Sequence, residues 1–144
     1  MIKFVLFFLF LKILFFSLAQ ATTAFVQSED LQNSDPEAIT FNNNGTRMFV
    51  IDDSPMVETY TLTTGFDIST KSFSVALSFD LSATNPSPRG IVFNDDGTKM
   101  ILSNSALNII ENYDLAVAFN PSTAGLLGTH DTSGEVSGER GVVF

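Results

Sequence analysis

The 144-residue sequence has no cysteine, a single histidine and few basic side chains. The absence of cysteine excludes a disulfide framework and a cysteine-ligated metal, so packing alone must stabilise the fold. The lone histidine, His130, has no Gly-x-Ser-x-Gly elbow to accompany it. We therefore assign no catalytic residue, and the sequence favours a protein that is not an enzyme.

The N-terminus has the order of a secretory signal. Lys3 precedes an apolar run, 4–18, that is interrupted only by Lys12, and small residues follow at Ala19 and Ala21. Fifteen residues of helix span roughly 22 Å, which is short of the ~30 Å membrane core. We expect 1–21 to be a signal-peptide helix cleaved after Ala21, and the alternative is an uncleaved anchor.

The remaining chain is strongly acidic. Two of the seven basic residues lie in the signal, which leaves 5 basic against 16 acidic side chains and a net charge of −11 (5 − 16). Such a surface repels phosphate backbones, so nucleic acid is excluded as a partner. We expect a secreted, periplasmic or cell-surface protein that contacts a membrane only if the signal is uncleaved.

One stretch of sequence occurs twice and begins a third time. "PEAITFNNNGTRMFV" (36–50) returns as "PRGIVFNDDGTKMIL" (88–102) at a spacing of 52, and "ERGVVF" (139–144) repeats its first six residues. The correspondence continues downstream at a spacing of 53, through Tyr60 with Tyr113 and Phe66 with Phe119. A period near 50 without helical spacing is typical of four-stranded propeller blades.

Each period contains four predicted strands. In the first period they are 38–42, 47–52, 57–62 and 72–80, and in the second 90–94, 99–103, 109–115 and 125–130. Asn44-Gly45 and Asp96-Gly97 suit the tight turn between the first two strands. Alternation of Phe73, Val75, Leu77 and Phe79 with polar residues predicts one buried face in the fourth strand. Glu58 and Glu111 share a face with tyrosines, and we expect them at the solvated end of their strands.

The resulting organisation is an incomplete ring of about two blades. We expect a lone outer strand of a neighbouring or closing blade over 22–34, blade one over 35–86, blade two over 87–137, and the start of blade three over 138–144. The third copy breaks off within a strand, which would expose an apolar edge. We therefore expect the N-terminal part of a longer protein, and the alternative is several short chains assembled into one ring.

The stretch "PRGIVFNDDGTKMIL…ENYDL" resembles bacterial secreted β-propeller repeats of the Tyr-Val-Thr-Asn and lactonase-like kind. Their blades carry Pro-x-Gly, alternating apolar residues, Asp-Gly-Lys and a later Tyr/Asp-Leu strand. The first copy departs from the pattern with Glu37-Ala38 in place of x-Gly. The resemblance implies an all-β propeller. It leaves the activity open, since such blades serve in lactone hydrolysis, adhesion and docking.

The blade order of such propellers predicts where a site would lie. The connections from fourth to first strand and from second to third strand would meet on one face around the axis. There Glu37, Arg89 and Arg140 occupy equivalent positions and are candidate ligand-binding residues. A candidate metal site for Ca²⁺ is formed by side chains with oxygen ligands: Glu37, Asp52, Asp53 and Asn104. Ordinary polar loops have the same composition. We expect no other cofactor.

Three functions remain open at this point. The first is an exported propeller that binds a protein or carbohydrate ligand or acts as a scaffold. The second is the N-terminal part of a lactonase-like hydrolase with a divalent metal near the axis. The third is a module of a surface adhesin.

Overall fold

The computed structural model describes residues 27–32 and 35–134, and over these it is all-β with antiparallel strands. The strands are β1 (Pro36–Phe41), β2 (Arg47–Asp52), β3 (Met56–Leu62), β4 (Lys71–Phe73), β5 (Phe79–Asp80), β6 (Pro88–Phe93), β7 (Lys99–Asn104), β8 (Ile109–Leu115) and β9 (Ala124–Asp131). Single 3₁₀ turns occupy Ile68–Thr70, Val75–Leu77 and Pro121–Thr123. Within these ranges no helix has the length and apolar character that crossing a membrane requires. The predicted signal, 1–21, and the predicted third blade, 138–144, lie outside the described residues.

The strands form two sheets with the same internal order. The first sheet runs β1-β2-β3-β4, with β5 also paired to β3, and the second runs β6-β7-β8-β9. Phe41 pairs with Met48 in the first sheet, and Phe93 pairs with Met100 in the second. The two sheets therefore use equivalent residues, 52 apart in sequence, in the same register.

The turn glycines adopt the conformation that the sequence predicts. Gly45 and Gly97 have φ of 69° and 70°, a region that glycine enters without steric cost. The ring of Phe66 lies against Gly45 and that of Phe119 against Gly97, where an added Cβ would overlap the ring. Each phenylalanine also donates its backbone N–H to that glycine's carbonyl, at 3.0 and 2.8 Å. The two hairpins are thus fixed by the same aromatic contact.

The prediction of one continuous fourth strand over 72–80 is wrong. β4 ends at Phe73, a 3₁₀ turn follows, and only Phe79–Asp80 returns to the sheet. Val75 is 74% exposed and not buried. Ser78 explains how the sheet tolerates the interruption, because its Oγ accepts the Thr59 N–H at 3.0 Å in place of a strand carbonyl. In the second sheet the fourth strand, β9, is continuous over eight residues.

The two sheets pack face to back. One face of the first sheet, with Phe49, Ile51 and Val57, lies against the opposite face of the second. The second sheet supplies six buried residues to this core: Ile91, Phe93, Met100, Leu102, Tyr113 and Leu115. The rings of Phe49 and Phe93 are 4.5 Å apart. The two sheets therefore contribute different kinds of face to this core.

The other face of the first sheet is equivalent to the face that the second sheet buries in this core. It packs against a different part of the chain. Met48, Val50, Tyr60 and Leu62 form a second small core, against which Leu31 of the segment 27–32 packs. Asp30-Leu31 matches Asp80-Leu81 in sequence, and Leu81 is fully buried in the core between the sheets. The described part of the predicted lone strand, 27–32, is not assigned as a strand.

Candidate binding site

Four of the predicted site residues lie at one end of the first sheet and at its contact with the second. Asp52 is the last residue of β2 and pairs with Pro36, the first residue of β1, so the start of one strand meets the end of the other. Glu37 and Asp53 directly follow these two residues. Arg89 occupies in β6 the position that Glu37 occupies in β1, 52 residues earlier.

Arg89 connects the two sheets at this end. Its Nη1 donates to Glu37 Oε1 at 2.5 Å and to Asp53 Oδ1 at 2.9 Å, and its Nε donates to Ser105 Oγ at 3.2 Å. The hydrogen bond to Asp53, together with the charge of Glu37, raises the pKa of Arg89 despite some desolvation. Sequence reasoning placed these residues near one another but did not foresee that a cation would bind both carboxylates.

Asp52 and Asn104 occupy equivalent positions and play equivalent local roles. Asp52 Oδ1 accepts from the N–H and the hydroxyl of Ser54, at 2.8 and 2.5 Å. Asn104 Oδ1 accepts from the N–H groups of Ala106 and Leu107, at 3.0 and 3.1 Å. Both side chains are buried and hold the turn after the second strand of their sheet.

The predicted metal ligands take part in separate contacts and do not form one group. Glu37 and Asp53 bind Arg89, while Asn104 lies in the second sheet and caps its own turn. Among the described residues no group of three or more His, Cys, Asp or Glu side chains is arranged to hold a metal ion. Arg140, the third predicted ligand-binding residue, lies outside the described ranges. Calcium binding by Glu37, Asp52, Asp53 and Asn104 stays a prediction.

The expectation that Glu58 and Glu111 lie at solvated strand ends is wrong. They are 2% and 1% exposed, and each lies beside the tyrosine two residues later. Tyr60 donates its hydroxyl to Glu58 Oε2 at 2.8 Å and accepts from the N–H of Gln32 at 3.0 Å.

The second pair, Glu111 and Tyr113, has corresponding partners from the strand connection before β6. Asn85 Nδ2 donates to Glu111 Oε2 at 2.7 Å, and the Tyr113 hydroxyl lies 3.3 Å from Thr84 Oγ1. In the second sheet a segment distant in sequence donates a hydrogen bond to the buried carboxyl group, and in the first sheet such a segment donates one to the tyrosine that bonds the carboxyl group. The only sequence signal was the repeated Glu-x-Tyr itself.

Burial controls the ionisation of these groups. Desolvation raises the pKa of Glu58 and of Glu111 above 4.5. The hydrogen bond from Tyr60 partly offsets this increase at Glu58, and hydrogen bonds from Asn85 and Tyr113 do so at Glu111. Desolvation likewise raises the pKa of Tyr60 and of Tyr113 to about 12. The folded state therefore holds the carboxyl protons more tightly than the unfolded chain does, so stability falls as pH rises from 4.5 through the raised values.

No protein-family model matches the sequence, and a search of curated proteins finds no match either.

Proposed function

We propose that this chain is an exported β-propeller repeat protein, that its two sheets are neighbouring blades, and that it acts as a binding or scaffolding module without catalysis of its own. Export rests on the N-terminal sequence. The blade assignment rests on the way in which the two sheets pack, and the binding role rests on the end of the sheets where Arg89 lies.

The observation that carries the proposal is contact between equivalent residues of the two first strands. Glu37 and Arg89 lie at the start of β1 and β6 and form an ion pair at 2.5 Å. At the other end, Asn43 Nδ2 donates to the carbonyl of Asp95 at 2.6 Å. Both pairs are 52 residues apart. Neighbouring blades that share a hub place their innermost strands side by side in this way.

Face-to-back packing gives further support, because it leaves the same surface available for the next unit. Phe49 and Ile51 of the first sheet are fully buried by the second. Their equivalents in the second sheet are Ile101, which is half-buried, and the smaller Ser103, which is buried. A third sheet with the pattern of β6 to β8 would cover this face, from a continuing chain or from a second copy. When two units meet through different faces, each unit keeps a free face for a further unit, and repetition of this contact generates a ring or an open array.

The ion pairs of Arg89 favour a binding role over the hydrolase alternative. A metal-assisted hydrolase needs several free oxygen ligands that converge on one ion. Here Glu37 and Asp53, two of the predicted ligands, already accept hydrogen bonds from a guanidinium group. Protein or carbohydrate ligands would meet a polar surface at this end, and an adhesin would use the same surface within a longer chain.

The experiment tests the open face of the second sheet. We would purify the protein after export from a bacterial host and measure its sedimentation over a wide concentration range. We expect concentration-dependent association, which Ile101→Asp should abolish because it places a charge on the stacking face. Val75→Asp is the matched control, since Val75 is 74% exposed on the 3₁₀ turn of the first sheet.

Two results would contradict the proposal. One is a monomer at all concentrations that melts cooperatively at a temperature independent of concentration. The other is equal loss of association in Ile101→Asp and Val75→Asp, which would mean that added charge and not stacking explains the effect.

A further inference from the structure

An acidic pocket opens beside the start of β1. It has a volume of about 850 Å³, and residues 29–32 form one wall while the end of β2 forms another. Five carboxylates line it: Glu29, Asp30, Asp35, Asp52 and Asp53. Among its described lining residues there is no basic side chain. The size falls in the range of small-molecule sites.

Asp52 gives this pocket an unsatisfied acceptor. The residue is 2% exposed, and its Oδ1 is engaged by Ser54. Its Oδ2 is buried and, like the equivalent Asn104 Nδ2 of the second sheet, has no hydrogen-bond partner among the described residues. A buried carboxylate oxygen without a donor is costly, and native structures rarely leave one in that condition.

Part of the negative charge of the pocket is already balanced at its edges. Lys71 Nζ lies 3.1 Å from Glu29 Oε2, and Arg89 Nη1 lies 2.9 Å from Asp53 Oδ1. No ion pair joins Asp30, Asp35 or Asp52 to a cation within the ranges that the structure describes. The lining of the pocket therefore carries excess negative charge, and one of its buried carboxylate oxygens lacks a donor among the described residues.

The spacing of the carboxylates favours an organic cation over a metal ion. A bound divalent ion needs oxygen ligands that converge within 2.0–2.6 Å of one point, and the described residues include no acidic group of three with a metal-binding arrangement. An ammonium group carries three donors and no acceptor, so it matches a surface that offers acceptors only. Leu31 and Pro36 in the lining give its aliphatic chain apolar contact.

We propose that this pocket binds a primary ammonium group, with Asp52 Oδ2 as its buried acceptor. The group would come from a free polyamine or from a lysine side chain of a partner. This inference rests on the binding role proposed above and gives that role a ligand class.

The repeat provides variants that the fold already accommodates. Asp52→Asn places in the first sheet the side chain that the second sheet has at Asn104, where the amide oxygen holds the same turn. Asp96→Asn is the matched control, because its equivalent Asn44 accepts from Thr46 in the same manner as Asp96 accepts from Thr98. Both variants remove one negative charge, and only the first lies in the pocket.

The test is titration calorimetry on the exported protein with three probes: spermidine, Nα-acetyl-lysine amide and CaCl₂. We expect binding of at least one ammonium probe, weakened by roughly tenfold or more in Asp52→Asn, as loss of a charged hydrogen bond predicts. Asp96→Asn should change the affinity less than about twofold, within the scatter of distant surface charges. Binding of spermidine alone would identify a free polyamine, and binding of the lysine derivative would identify a side chain.

Three outcomes would overturn the inference: no binding of either ammonium probe, equal weakening in both variants, or binding of Ca²⁺ alone. The sedimentation experiment separates this failure from failure of the stacking proposal. If Ile101→Asp abolishes association while the wild-type protein binds no ammonium probe, the ligand assignment is wrong and the proposed blade packing stands.

Discussion

Two equivalent isoleucines allow the packing between the sheets to be measured directly. Ile39 in β1 and Ile91 in β6 pair with equivalent residues, Val50 and Leu102, in the same register. Ile91 is 6% exposed because the first sheet covers it, whereas Ile39 is 55% exposed. Alanine substitution at the two positions therefore changes strand propensity equally and differs in the packing that is lost.

The expected magnitudes follow from this burial. Ile91→Ala removes a buried side chain and leaves a cavity, which lowers the free energy of unfolding by about 2–5 kcal/mol. Ile39→Ala loses only about half of a transfer free energy of ~1.5–3 kcal/mol and leaves no closed cavity, so we expect about 1 kcal/mol. The two variants should differ by about 1–4 kcal/mol.

Urea unfolding at a fixed low protein concentration measures both values. With a slope of ~2 kcal/mol per molar, the midpoints of the two variants should differ by roughly 0.5–2 M. Equal shifts would refute the reasoning, because they would mean that Ile91 gains nothing from the neighbouring sheet. A change in the slope itself would mean that the two sheets unfold separately.

Three further predictions concern the buried carboxyl groups, the turn glycines and export. The stability of the wild-type protein should fall as pH rises from 4.5 through the raised pKa of Glu111, and urea midpoints measured across this pH range test that fall. Glu111→Gln should make the fall smaller. An unchanged pH profile in the variant would count against burial of Glu111 as the cause. Gly97→Ala should lower the thermal midpoint clearly more than Gly125→Ala, because Gly97 has φ of 70° against the ring of Phe119 while nothing lies within 4 Å of an added Cβ at Gly125. Intact-mass measurement of the exported protein should give a chain that begins at Thr22, and retention of residues 1–21 would favour the uncleaved anchor.

Much of the strand arrangement could be predicted from local sequence. β2 and β8 begin and end at the predicted residues, 47–52 and 109–115. The Asn-Gly and Asp-Gly turns fixed the first hairpin of each sheet. These features depend on neighbours within a few residues, and such interactions are visible in the sequence.

The errors arise where a distant partner decides the outcome. Val75 fits the alternation of a strand, but the hydroxyl of Ser78 replaces a strand hydrogen bond at Thr59 and allows the chain to turn outwards. Glu111 reads as a surface residue until Asn85, 26 residues earlier, is brought within 2.7 Å. Local pattern carries no information about either contact.

Four of the predicted site residues lie together at one end of the sheets, and their role in binding stays a prediction. The equivalence of Glu37 and Arg89 indicated that both would lie at the same end of their sheets. It did not indicate that they would bind each other, since that depends on how closely the two first strands approach. The acidic pocket was not foreseen, because its wall includes Leu31, whose position depends on packing against Tyr60 in a later strand.

The most direct measurement joins the two hairpins at the proposed hub. The chain has no native cysteine, so Asn43→Cys and Asp95→Cys introduce the only two thiols. Mild oxidation or a short thiol–thiol cross-linker should join them within a single chain, because the Asn43 side chain lies 2.6 Å from the Asp95 carbonyl. Cross-links that form only between chains, or none at all under native conditions, would contradict the side-by-side placement of the two first strands.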